Sequence, residues 1–138
     1  MNRKTFLQES LGAITAVCFS CAACTRYNEE ELYPATTGPL LAINLSNQLL
    51  NNGDALISNN IIVVRLANGN QPASFTAVQR DCTHAGGFLY WDQPTTRFIC
   101  PVHGSEFSAT GVVLTGPAFN NLKRYTITLQ NNQLLITS

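Results

Sequence analysis

Two short stretches carry the residues able to do chemistry: Cys82-Thr83-His84-Ala85-Gly86-Gly87 and Cys100-Pro101-Val102-His103-Gly104-Ser105. Each offers one thiolate and one imidazole, spaced C-x-H in the first and C-x-x-H in the second. His84 and His103 are the chain's only histidines, so a pair of ordinary surface histidines is a poor account of them. Two sulfur and two nitrogen donors suit two metal chemistries. One is a tetrahedral structural zinc site. The other is a [2Fe–2S] centre in which two imidazoles replace two thiolates on one iron. Zinc fingers usually group cysteine with cysteine and histidine with histidine, as C-x₂₋₄-C before H-x₃₋₅-H. Here each stretch has one of each, which favours the iron–sulfur centre. Removing two thiolate charges also makes an added electron less unfavourable, which raises the potential.

The resemblance to a known family extends beyond these four side chains. The run Cys100-Pro101-Val102-His103-Gly104-Ser105-Glu106-Phe107 resembles the C-P-x-H-G-S-x-[YF] box of Rieske proteins. Gly116-Pro117-Ala118 resembles the loop, here centred on Pro117, that covers the cluster in respiratory members. By this resemblance the chain is a compact Rieske protein of the respiratory or arsenite-oxidase-like kind. It implies one [2Fe–2S] cluster per chain, with Cys82 and Cys100 on one iron and His84 and His103 on the other through Nδ1. The Nε2 sides would lie near solvent, where electrons leave and redox-linked protons exchange. Ser105 would donate to a bridging sulfide. Gly86, Gly87 and Gly104 would let the backbone turn and bring N–H groups toward sulfur.

Four positions depart from the family pattern. Phe107 stands where high-potential members often carry a Tyr that bonds a ligand sulfur. Gly87 and Val102 stand where respiratory members usually have a Cys pair tying the loops, and Phe119 stands where a second Pro is common. Loop packing is therefore expected from Phe88, Pro101 and the Gly116-Pro117-Ala118 loop. The potential is expected in the middle of the ≈ −150 to +300 mV Rieske range.

The rest of the chain must position and deliver this site. Its 138 residues allow one domain and a leader, and 45% hydrophobic content supports a packed core. Only 12% of residues are charged and the formal net charge is zero, which argues against a nucleic-acid partner. Residues 1–24 read as a signal peptide: a basic start at Arg3 and Lys4, then an apolar stretch from Leu11 to Ala23, too short for a permanent span. Asn2 to Gln8 is similar to the twin-arginine export motif, with Lys4 in place of the second Arg. Cys24, preceded by Ala22-Ala23, resembles a bacterial lipoprotein cleavage site, and Cys21 and Cys18 fit it less well. The protein is thus expected on the periplasmic side, anchored to a membrane surface by lipid. Residues 25–39, with Glu29-Glu30-Glu31, Pro34 and Gly38, read as a polar tether.

Residues 40–138 form the expected cluster domain. Leu40–Leu45 and Gln48–Leu50 suggest a local strand pair. Ile61–Leu66 reads as a buried strand, and Phe75–Arg80 feeds the first ligand stretch. Phe88–Trp91 and Arg97–Ile99 flank a turn, and Thr110-Gly111 sits between Glu106–Ser108 and Val112–Leu114. Tyr125–Gln130, Asn131-Asn132 and Gln133–Thr137 form the clearest hairpin. Helical periodicity is lacking after the leader. The fold class is all-β: antiparallel sheets with a small cluster-binding subdomain.

Function follows as one-electron transfer with a redox protein or complex, such as a cytochrome or other oxidoreductase subunit, and without a catalytic site in this chain. The alternative is the Rieske subunit of a quinol-oxidising complex of cytochrome bc or arsenite-oxidase type. A Rieske oxygenase would need a further 2-His-1-carboxylate iron site, and no histidine is left to build one.

Overall fold

The computed structural model describes residues 38–138. The leader, Cys24 and nearly all of the tether lie outside the described residues. Ten strands run in chain order: β1 (Leu41–Asn44), β2 (Ala55–Ser58), β3 (Ile61–Arg65), β4 (Phe75–Gln79), β5 (Tyr90–Asp92), β6 (Arg97–Ile99), β7 (Glu106–Ser108), β8 (Val113–Thr115), β9 (Thr126–Gln130) and β10 (Gln133–Thr137). They form three antiparallel sheets, ordered β1-β10-β9, β2-β3-β4 and β5-β6-β7-β8. The all-β expectation holds, and among the described residues the only helical element is the 3₁₀ turn Pro72–Ser74. No described helix is long and apolar enough to cross a membrane.

β3 explains why the sheets stack as they do. Its residues Ile61-Ile62-Val63-Val64-Arg65 are all buried. Successive side chains of a strand point to opposite faces, and here both faces are covered. Ile61 and Val63 join a core with Ile43, Phe75, Leu134 and Ile136. Ile62 and Val64 join a second core with Val78, Leu89, Phe98 and Phe107, which also holds Cys82 and Cys100. An unbroken β-branched run is the sequence form of a strand buried on both sides. Arg65 closes the strand with its guanidinium buried and satisfied by carbonyl oxygens: Nε donates to Leu49 O, and Nη1 donates to Gly69 O at 2.9 Å. It also lies 4.5 Å over the Phe75 ring.

The turns follow their residues. β2–β3 reverses through Asn59-Asn60 and β9–β10 through Asn131-Asn132, all four with positive φ. Asn tolerates that left-handed conformation better than other non-glycine residues, and two-residue hairpins require it. One expectation fails. β1 does not pair with Gln48–Leu50, which is irregular; it pairs with β10, Leu41 opposite Ile136. Leu45 and Leu49 are apolar because they bury in the core from a turn, and Asn44 N–H is held by Gln48 Oε1 at 3.3 Å. β2 was hidden in a polar-flanked stretch whose burial is one-sided.

Phe98 is the hub of the second core: fully buried, it meets Trp91 edge-on at 4.9 Å between ring centroids. Phe98→Ala is expected to destabilise the domain by about 3–5 kcal/mol. Denaturant unfolding followed by fluorescence of Trp91, the only tryptophan, checks this; a loss below 1 kcal/mol would refute that role.

Candidate metal centre

The two chemistry-bearing stretches are the tips of two hairpins built alike. The first, residues 82–87, is closed by the antiparallel pairing of Asp81 with Phe88. The second, residues 100–105, connects β6 to β7 and is closed by Ile99 opposite Glu106. In the first, Cys82 N–H donates to Gly87 O at 2.7 Å and Gly86 N–H to Cys82 O at 3.0 Å. In the second, Cys100 N–H donates to Ser105 O and Gly104 N–H to Cys100 O, both at 2.9 Å. Each tip thus runs from a Cys to a glycine four residues on, with φ of +70° at Gly86 and +77° at Gly104. An L side chain there is strained. The shared C-x₃-G spacing was readable in the sequence and went unread.

This backbone sorts the four donors. Cys82 and Cys100 point inward, buried and unbridged, into the apolar core with Phe98 and Phe107. The Cys82 and Cys100 thiols are close enough to act on one another. His84 and His103 lie outward and exposed, their rings 4.8 Å apart between centroids and nearly perpendicular at 87°. Burial pushes the Cys82 thiol up from its ordinary value, and the Cys100 thiol beside it adds to the rise. A hydrogen bond from the His84 backbone N–H and one from the Ser105 hydroxyl act against it.

The arrangement can be tested against the two metals. Tetrahedral zinc needs its donors around one ion. Among the described residues no three His, Cys, Asp or Glu side chains are placed to hold a single ion. A sulfur pair next to a nitrogen pair instead fits two irons, each taking two protein donors.

Ser105 is fully buried, and its Oγ accepts a hydrogen bond from Ala118 N–H at 3.0 Å. Pro117 follows a cis bond from Gly116 and is partly buried. Phe107 is fully buried and brings no polar atom. Of the residues expected to pack the loops, only the Gly116-Pro117-Ala118 loop does so. Phe88 is 56% exposed with the Arg80 guanidinium 4.0 Å over its ring, and Pro101 is exposed. Arg80 Nε is the one buried side-chain polar atom without a partner among the described residues. Gly87 also differs from expectation. It needs no special φ but does need its missing Cβ, which would stand 2.7 Å from Val102 Cγ2 and 3.1 Å from Cys100 Sγ. Sequence reading missed Thr83, whose Oγ1 donates to Asn120 O at 2.6 Å.

Fold and site together define a small antiparallel-β domain with two cysteines and two histidines brought together on paired hairpin tips. The profile of the Rieske [2Fe-2S] domain matches residues 43–126. The cytochrome b6-f complex iron-sulfur subunit of Chlorobaculum tepidum is 29% identical over 99% of this chain and 75% of its own length. Subunit 1 of the same name from Nostoc sp. is 39% identical over 41% of this chain, which spans only 32% of it. Among solved structures, the plasma membrane Rieske protein PetC3 from Synechocystis PCC 6803 is 31% identical, with a TM-score of 0.55 over 73% of this chain and 96% of that one. A chain of a hyperthermophilic respiratory Complex III, 23% identical with a TM-score of 0.56, covers 78% of this chain and 79% of its own, and shares the fold. The chain belongs to the Rieske [2Fe-2S] family of iron–sulfur electron-transfer proteins.

The glycines of the two tips are expected to fail for different reasons. Gly104 has open space around it but the wrong φ, so Gly104→Ala should cost about 1–2 kcal/mol whatever stands at 102. Gly87→Ala should cost about 1–3 kcal/mol by overpacking, and Val102→Ala should recover part of that. A double-mutant cycle of unfolding free energies separates the two, and additivity at 87 and 102 would refute the contact.

Proposed function

We propose that the chain is a one-electron carrier in which Cys82 and Cys100 bind one iron and His84 and His103 the other, with one [2Fe–2S] cluster per chain. The observation that carries this reading is the sorting of donors: thiol against thiol in the core, imidazole against imidazole at the surface. A bound cluster supplies reversible storage of a single electron. The chain's own residues do the rest. The core around Phe98 and Phe107 keeps water from the sulfur side. The His84 N–H and the Ser105 hydroxyl direct positive dipole toward Cys82, which favours added negative charge. The exposed imidazoles hold or release a proton at Nε2 and present the edge on which a redox partner docks.

Around the domain we place a leader at residues 1–24, lipid on Cys24 and a tether at 25–39, so that the domain works outside the cytoplasmic membrane at its surface. The Ala22-Ala23-Cys24 sequence supports this. Cys24→Ser is expected to move the protein from the membrane fraction to the soluble exported fraction, with loss of the acyl mass on the intact chain; unchanged fractionation would refute it.

A second reading is favoured by the relatives named as cytochrome b6-f complex subunits. In it, the chain serves a quinol-oxidising complex and His84 or His103 accepts a hydrogen bond from quinol. Co-purification with a cytochrome b selects this reading. The Gly87–Val102 pair and Phe107 favour the first, because they remove the tie and the hydroxyl of the high-potential members.

The reading is tested by EPR and redox titration of the exported protein. His103→Ala is expected to abolish the rhombic signal of the reduced protein. Ser105→Ala is expected to keep it while lowering the midpoint by about 65–130 mV, the equivalent of one charge-assisted hydrogen bond of about 1.5–3 kcal/mol. An unaltered signal in His103→Ala excludes the ligand assignment. A wild-type midpoint near the upper end of the Rieske range excludes the mid-range potential.

A further inference from the structure

The two ligand tips touch without a covalent tie. An added Cβ at Gly87 would lie 3.3 Å from Val102 Cβ, so the tips meet there side by side with no covalent bond between them. A third segment reaches both. Asn120 O receives the Thr83 hydroxyl from the first tip at 2.6 Å. Two residues earlier, Ala118 N–H donates to Ser105 Oγ of the second tip at 3.0 Å. The segment that carries these bonds is itself fixed from behind. Ala118 and Leu122 are buried in the core that holds both cysteines. Leu122 N–H donates to Gly111 O at 2.8 Å, and Asn121 Oδ1 accepts from Val113 N–H at 3.0 Å. Residues 118–122 therefore form a segment anchored on the core and on the turn between β7 and β8, with hydrogen bonds at Ala118 and Asn120 to different tips.

We propose that Thr83 and Ser105 are the two ends of a clasp, closed through Ala118 and Asn120, that sets the separation of the ligand tips in place of a covalent tie. The proposal rests on the ligand reading given above. Thr83 is a positioning residue: it acts through Asn120 and touches no metal. Its hydroxyl is specific to the task, because a Val at the same place keeps the branched shape and loses only the donor. Without the clasp the first tip swings relative to the second, and the geometry that retains the metal is populated for less of the time.

The test uses the exported holoprotein and follows visible absorbance as iron is lost to a chelator. Thr83→Val is expected to speed the loss by about fivefold, what one ordinary hydrogen bond supplies. Thr83→Ser is expected to stay within about twofold of the unaltered protein, and EPR g-values are expected to be the same in all three, since the ligands are untouched. The pair Gly87→Cys with Val102→Cys places Cβ atoms near the separation a disulfide requires. Once its oxidation is verified by intact mass, that tie is expected to make the rate of loss insensitive to Thr83→Val.

Thr83→Val at the unaltered rate overturns the clasp, and so does Thr83→Ser as fast as Thr83→Val, which would mean packing and not the hydroxyl. If Thr83→Val cannot be purified with its signal, the same substitution in the oxidised Gly87→Cys/Val102→Cys protein decides: retention supports the clasp and loss overturns it. An unaltered protein with no [2Fe–2S] signal overturns the ligand reading and the clasp together, whereas a normal signal with a Thr83-independent rate overturns the clasp alone.

Discussion

The structure depends on one constraint: two sulfur atoms must sit dry while two imidazoles, two or three residues further on, stand in water. A chain meets that demand only by turning sharply between donor and donor. Both tips do so with the same device, a Cys whose carbonyl accepts from the N–H of a left-handed glycine four residues later. The C-x-H and C-x-x-H spacings differ by one residue, yet each places its ring on the outer rim of such a turn. The sulfurs, at the start of each turn, stay with the flanking strands and so with the core.

That core exists because β3 is buried on both faces. One face of Ile61–Arg65 packs on the β1-β10-β9 sheet; the other supports the lobe that carries the tips. The lobe's own strands are three residues each, too few to bury an independent core. It borrows apolar surface from β3 and β4 through Ile62, Val64 and Val78. The cysteines belong to that shared cluster, so the proposed metal binding and the folding of the lobe would draw on the same contacts.

Much of this was legible in the chain itself. The donor spacing, the Gly-Pro-Ala loop, the Asn-Asn hairpin and the run Ile61–Arg65 each carry a local signal that its neighbours do not contradict. The pairing of β1 with β10 was not legible, because register between the two ends of a domain is set by tertiary packing. Leu45 and Leu49 looked like strand residues and are buried from a turn. Phe88 looked like a packing residue beside the site and instead lies exposed under Arg80. Thr83 gave no signal, since a threonine between two expected metal ligands reads as a spacer until its acceptor, 37 residues away, is seen.

The position of Ser105 joins loop geometry to electronic tuning. A hydroxyl has one proton to give. The Ser105 oxygen accepts from Ala118 N–H, and its hydroxyl acts on the neighbouring Cys82 thiol. In a dry pocket such a dipole acts at close to full strength, and it favours whichever state carries more negative charge. Phe107, fully buried in the same core, brings carbon where a phenol would bring a second donor. That missing donor is the basis of the mid-range potential proposed for this chain. The Ser105 side chain thus makes two contacts: its oxygen accepts from Ala118 N–H, and its hydroxyl counters the rise that burial imposes on the Cys82 thiol.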